Sequence, residues 1–107
     1  MDKDELIIKL KAFKQQVIKK YGVKRIILFG SYSKDNSRED SDVDLIIVGD
    51  FKSKGNFHRA PIFYKEWHLV QNIDLPVDII CYTSEEFDNL KNQITIVKEA
   101  LEEGMEI

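Results

Sequence analysis

The sequence holds one cysteine, two prolines and no long apolar run. The lone Cys81 excludes an intramolecular disulfide and suits a reducing compartment. It lies in an apolar stretch, which predicts a buried, inert thiol rather than a nucleophile. No apolar run reaches the ~18 residues that a membrane-spanning helix needs. The opening residues, Met1-Asp2-Lys3-Asp4-Glu5, are too acidic and polar for a signal peptide. The expectation is a cytoplasmic protein without a membrane partner. The net charge is −3, so the chain also lacks the basic excess of a general nucleic-acid binder, and nucleic acid is not an expected partner. Internal repeats, low-complexity segments and interdomain linkers are absent. What remains is a 107-residue chain, 43% hydrophobic and 33% charged, which predicts one domain over residues 1–107 with one core. Its charge is uneven, with lysine concentrated in residues 1–25 and glutamate in residues 83–107. Solvated helix faces account for this, and a partner surface is the sharper alternative.

One stretch organises the chain. Leu28-Phe29-Gly30-Ser31 is followed, after a ten-residue gap, by Asp42-Val43-Asp44-Leu45. Apolar residues lead into a Gly-Ser pair, and two acids return one residue apart at the head of another apolar run. Side chains alternate faces along a strand, so Asp42 and Asp44 point the same way. Two carboxylates on one face repel and lose hydration unless a cation sits between them. A Gly-Ser turn just before them offers backbone N–H groups and a hydroxyl to a phosphate. A phosphate cradle beside paired carboxylates reads as a magnesium–nucleotide site.

The remaining pattern alternates helices and strands. Leu6, Leu10, Phe13 and Val17 predict an amphipathic helix over 4–20, started by Asp2 or Asp4 and ended at Tyr21-Gly22. Strands are predicted at 24–29, 42–48 and 75–82. Ser31 to Lys34 can begin a short helix, residues 34–41 form a polar loop, and 49–58 form another. A helix is predicted over 61–72, with Pro61 at its first position and Trp67 on its core face. Thr83-Ser84-Glu85-Glu86 is a capping box for a short helix, and a last helix spans 93–103, ended by Gly104. His58 and His68 lack metal-ligand spacing. Asp78 is the one charge in Leu75–Tyr82, expensive mid-strand unless paired, solvated or metal-bound.

Together these residues resemble the nucleotidyltransferase superfamily that includes DNA polymerase beta. Its pattern is an apolar strand, Gly-Ser, about ten residues, then Asp-apolar-Asp-apolar, matched here by Gly30, Ser31, Asp42 and Asp44. A third family acid on a later strand is matched by Asp78. The resemblance covers about residues 24 to 82. Each part alone is weak, and the three in order are specific. Small members of the family follow Gly-Ser with Ala, a basic residue and Gly. This chain has Tyr32-Ser33-Lys34-Asp35 instead, so Lys34 or Arg38 is the candidate for the missing basic contact with the triphosphate.

The resemblance implies an α/β (α+β) fold, a small mixed β-sheet with helices packed mainly on one face. It implies a transferase that uses ATP and two Mg2+ ions. Asp42 and Asp44 would hold both ions, and Asp78 would complete the first ion's shell and assist deprotonation of the acceptor. Gly30 and Ser31 would bind the β- and γ-phosphates. Few residues follow the third strand, so the likeness is to the minimal nucleotidyltransferases that pair with a helical HEPN-type protein. In such toxin–antitoxin pairs the nucleotidyltransferase is the antitoxin and transfers AMP to its partner. Two other classes stay open at this level: a module that neutralises its partner by contact alone, and an aminoglycoside-type enzyme whose acceptor pocket forms in a homodimer.

Overall fold

The computed structural model describes residues 2–32, 42–93 and 96–107. Helix α1 spans Lys3–Tyr21, and its cap is Asp2, whose Oδ1 accepts the Glu5 N–H at 2.8 Å. Leu6, Leu10, Phe13 and Val17 recur at helical spacing and are fully buried. Strand β1 (Val23–Phe29) runs into a single 3-10 turn at Gly30–Tyr32, and strand β2 spans Val43–Gly49. Helix α2 (Asn56–Lys65) continues into a π-helical segment at Glu66–Val70. Strand β3 covers Val77–Thr83, helix α3 Ser84–Leu90, helix α4 Ile96–Glu103 and strand β4 Met105–Glu106.

The sheet order is β3-β2-β1-β4. β2 and β3 are parallel and the other pairs antiparallel, so the sheet is mixed. α2 is the crossover that a parallel pair requires. The larger core lies on the sheet face covered by α1 and α2, where Phe13, Phe63 and Trp67 meet Leu28, Leu45 and Ile79. Phe13 and Trp67 pack edge to face with ring centroids 5.5 Å apart. A smaller cluster on the opposite face joins Ile27, Ile46 and Val48 to Phe87, Val97 and Ala100 of α3 and α4. Both faces of β1 and β2 are thus covered, as their unbroken apolar runs require.

The capping box forms as expected: the Glu86 N–H donates to Thr83 Oγ1 at 3.1 Å, and the Thr83 N–H donates to Glu86 Oε1 at 2.8 Å. The helix predicted at 61–72 begins five residues earlier, and Pro61 lies inside it. Burial of Arg59, Ala60 and Phe63 holds those first turns against the core and outweighs the hydrogen bond that Pro61 cannot donate. The short strand β4 has no strand-like run of its own. It is fixed by pairing with Ile27 and Leu28, by the Ile107 N–H to Ile26 carbonyl bond at 2.9 Å, and by the Arg25–Glu106 ion pair.

β3 is a sheet edge, yet its outer backbone groups are occupied by side chains. Asn56 donates to the Ile79 carbonyl at 3.0 Å and accepts the Cys81 N–H at 2.7 Å. The Tyr64 hydroxyl accepts the Ile79 N–H at 3.0 Å. Arg59, buried, donates to Glu86 at 2.6 Å, to the Ser53 carbonyl at 2.7 Å and to the Cys81 carbonyl at 3.4 Å. Burial pushes the Cys81 thiol up to about 12, which makes it the inert core residue expected. Among the described residues no helix is long and apolar enough to cross a membrane.

Candidate active site

The strand register brings the acids together. Phe29 stands opposite Asp44 across the β1–β2 pair, and Asp44 stands opposite Asp78 across the β2–β3 pair. Neighbouring strands lie about 4.8 Å apart, so the Asp44 and Asp78 backbones are within reach of one ion. In β2, Val43, Leu45 and Ile47 fill the larger core, while Asp44 shares the opposite face with Ile46 and Val48. In β3, Val77, Ile79 and Cys81 do the same, and Asp78 is left exposed on the other side. Asp42 immediately precedes β2 and is exposed. All three acids therefore gather at the start of β2 and β3, beside the end of β1.

Gly30 ends β1 with φ +74°, a conformation that side-chain-bearing residues disfavour. A Cβ placed there would lie 2.3 Å from Asp44 Oδ2, so the position must be bare for the carboxylate to sit where it does. Two residues on, Tyr32 is fully buried in the larger core and anchors the turn. Tyr32 is thus a packing residue and not one free to stack on a nucleotide. Gly30 and Ser31 lie in the turn itself, while Lys34 and Arg38 lie outside the described residues.

The Asp44 carboxyl is held above its ordinary range. Partial burial is the largest cause, followed by repulsion from Asp78 and from Asp42. Among the described residues no lysine or arginine pairs with any of the three acids. Among these residues the acids thus have no cationic partner, and their hard oxygen donors are the donor set that suits magnesium. Among the described residues no three ligand-type side chains already form a metal-holding cluster. In donor type, Asp42, Asp44 and Asp78 suit a divalent cation.

The family follows from a direct match. The model of the nucleotidyltransferase domain family fits residues 10–102. The chain belongs to this nucleotidyltransferase family. It is 32% identical over 79 residues to the protein adenylyltransferase MntA of Thermococcus cleftensis, covering 70% of this chain and 72% of that one. Its fold is similar to a Sulfolobus solfataricus crystal structure named as a "putative nucleotidyltransferase", with TM-score 0.63, 20% identity, and coverage of 86% of this chain and 79% of that one. It is also similar to a toxin–antitoxin crystal structure with AMP-PNP, with TM-score 0.55, 19% identity, and coverage of 99% and 72%.

Within this nucleotidyltransferase, one contribution to the site had no sequence signal. Tyr64 and Asn56 of α2 hold the backbone of Ile79, and the Ile79 N–H belongs to the peptide that follows Asp78. Only the packing of α2 along the β3 edge reveals this support.

Proposed function

We propose that this nucleotidyltransferase moves AMP from ATP, with magnesium, to a hydroxyl on a HEPN-type partner protein and so acts as the antitoxin of a pair. The observation that carries the reading is the opposition of Asp44 and Asp78 in register, with Asp42 beside them and Gly30 kept bare against Asp44. The acceptor oxygen attacks the α-phosphorus, the bond to the β-phosphate oxygen breaks, and pyrophosphate leaves. The acceptor's proton passes to Asp78. Asp42 and Asp44 would hold the metal, with Asp78 completing the first ion's shell, and Gly30 and Ser31 would orient the leaving phosphates, with Lys34 or Arg38 as the basic contact. When bound, magnesium neutralises charge gathering on the phosphate oxygens.

The protein acceptor is supported by the named activity of the Thermococcus cleftensis relative and by the toxin–antitoxin likeness in fold. A reactive phosphate left open to water invites hydrolysis, so a covering partner that also brings the hydroxyl is chemically economical. The test is to incubate the purified chain with ATP, magnesium and a purified HEPN-type protein. The expected result is the added mass of AMP on the HEPN-type protein, stopped by Asp78→Asn. An unmodified partner that is still inhibited stoichiometrically would establish contact-only neutralisation. Modification of an aminoglycoside with no partner present would overturn the protein acceptor.

A further inference from the structure

The three acids lie on the sheet face opposite α2, yet the position of Asp78 depends on the chain that leads from α2 into β3. Residues 71–76 form this link and contain no helix or strand. The apolar pattern of β3 forbids a slip of one residue, which would turn Asp78 into the core. A slip of two keeps every side chain on its face but moves Asp78 about 6–7 Å along the strand, out of line with Asp44. The point at which the link enters the sheet therefore decides whether the acids meet.

Trp67 grips this link twice. Its Nε1–H donates to the Leu75 carbonyl at 3.0 Å, and its main-chain carbonyl accepts the Ile73 N–H at 3.0 Å. Asn72 turns the chain with φ +55°, and Ile73 and Leu75 are buried. Next along the chain, the Pro76 carbonyl accepts the Val43 N–H at 2.9 Å, and Val43 stands between Asp42 and Asp44. One indole thus leads through Leu75 and Pro76 to the backbone of the first two acids, and through Val77 to the third. Trp67 is fixed in turn. It is fully buried, its ring packs edge to face on Phe13, and Lys20 of α1 holds the preceding Glu66 at 2.9 Å. Both residues belong to the π-helical segment, a winding frequent at functional sites.

We propose that Trp67 is a positioning residue for transfer: its indole N–H fixes where β3 enters the sheet and so holds Asp78 opposite Asp44. The proposal rests on the reading of Asp42, Asp44 and Asp78 as the reacting site.

The experiment compares two variants. Trp67→Phe keeps a ring against Phe13 and loses the N–H. Phe13→Leu loosens the same contact and leaves the bonds of the link in place. Each is studied well below its melting temperature, so that both are folded. The quantities read are protection of the Val43 amide against exchange, affinity for Mn2+ alone, and AMP transfer. Trp67→Phe is expected to speed exchange at Val43 and to weaken Mn2+ binding about tenfold or more, the usual size for a group that supports a metal ligand. The kcat for transfer should fall with it. Phe13→Leu should leave all three near the values of the unaltered chain.

A second measurement needs no variant. In native-state exchange of the unaltered chain, the Trp67 indole N–H and the amides of Ile73 and Val43 should open together. A Val43 amide that stays protected after the indole has opened overturns the proposal, as does an Mn2+ affinity that is equal in the two variants. Failure of the functional reading looks different: exchange and Mn2+ binding respond to Trp67→Phe as expected, yet the unaltered chain transfers no AMP to the HEPN-type protein.

Discussion

The carboxylate of Asp44 occupies the space that a side chain at Gly30 would need. The Cβ position of Gly30 lies 2.3 Å from Asp44 Oδ2, and the backbone there has φ +74°. Gly30→Ala must therefore adopt an unfavourable backbone conformation, costing about 1–2 kcal/mol, and must also expel the acid. The variant should be destabilised in urea and lose transfer by at least about a hundredfold, read as pyrophosphate release. A variant that keeps full activity would show that Asp44 works from a different rotamer.

Asp44→Asn separates charge from shape. In the folded chain the Asp44 carboxyl titrates above its ordinary value of 3.8, because of burial and of Asp78 and Asp42. The folded form thus holds the proton more tightly than the unfolded chain does. The associated stability is present below pH 3.8 and is lost as pH rises through the folded value. Without metal, Asp44→Asn should match or exceed the parent's stability at neutral pH, with the gap closing in acid. With magnesium at a hundredfold excess over its Kd the parent should gain about 2.7 kcal/mol, and the variant little. Thermal melts with and without magnesium across pH check both statements.

Glu86 gives the opposite pH signature. Its carboxyl is held below the ordinary carboxylate range, first by hydrogen bonding to Arg59 and then by the Thr83 N–H. The stability this brings is present above pH 4.5 and falls away as pH drops through the folded value. Glu86→Gln should flatten the acid limb of the stability curve. Arg59→Ala should cost more, about 1–3 kcal/mol, because the Ser53 and Cys81 carbonyls lose their donor and half-exposed Glu86 loses its partner.

Asn56→Ala should expose what α2 does for β3. Two backbone groups, the Ile79 carbonyl and the Cys81 N–H, lose their partner at once. The expected loss is about 1–3 kcal/mol, with faster amide exchange at Cys81 than at positions in β2. Unchanged exchange at Cys81 would show that water replaces the side chain at no cost.

Much of this was legible in the sequence, for physical reasons. The α1 stripe, three strands, the Thr83 cap and the Asp-x-Asp face all follow from periodicity and local hydrogen bonding. That Asp78 joins Asp42 and Asp44 was implied only by the family resemblance, and its register opposite Asp44 was not legible, because register depends on how α2 carries the chain from β2 to β3. Strand β4 was hidden for a similar reason: two residues carry no period, and only β1 makes them a strand. The start of α2 was misplaced because Pro61 is a strong local signal, overruled by burial of Arg59 and Phe63.

The occupied rim of β3 also limits how this protein can meet other chains. From Ile79 to Thr83 the outward donors and acceptors are taken by Asn56, Arg59, Tyr64 and Glu86. On the far side of the sheet, β4 lies along Ile27 and Leu28. An incoming strand would have to break several of these bonds before forming its own, so templated growth of the sheet into fibrils is disfavoured. Association is steered instead toward side-chain surfaces, where a few substitutions can change the choice of partner without disturbing the sheet beneath.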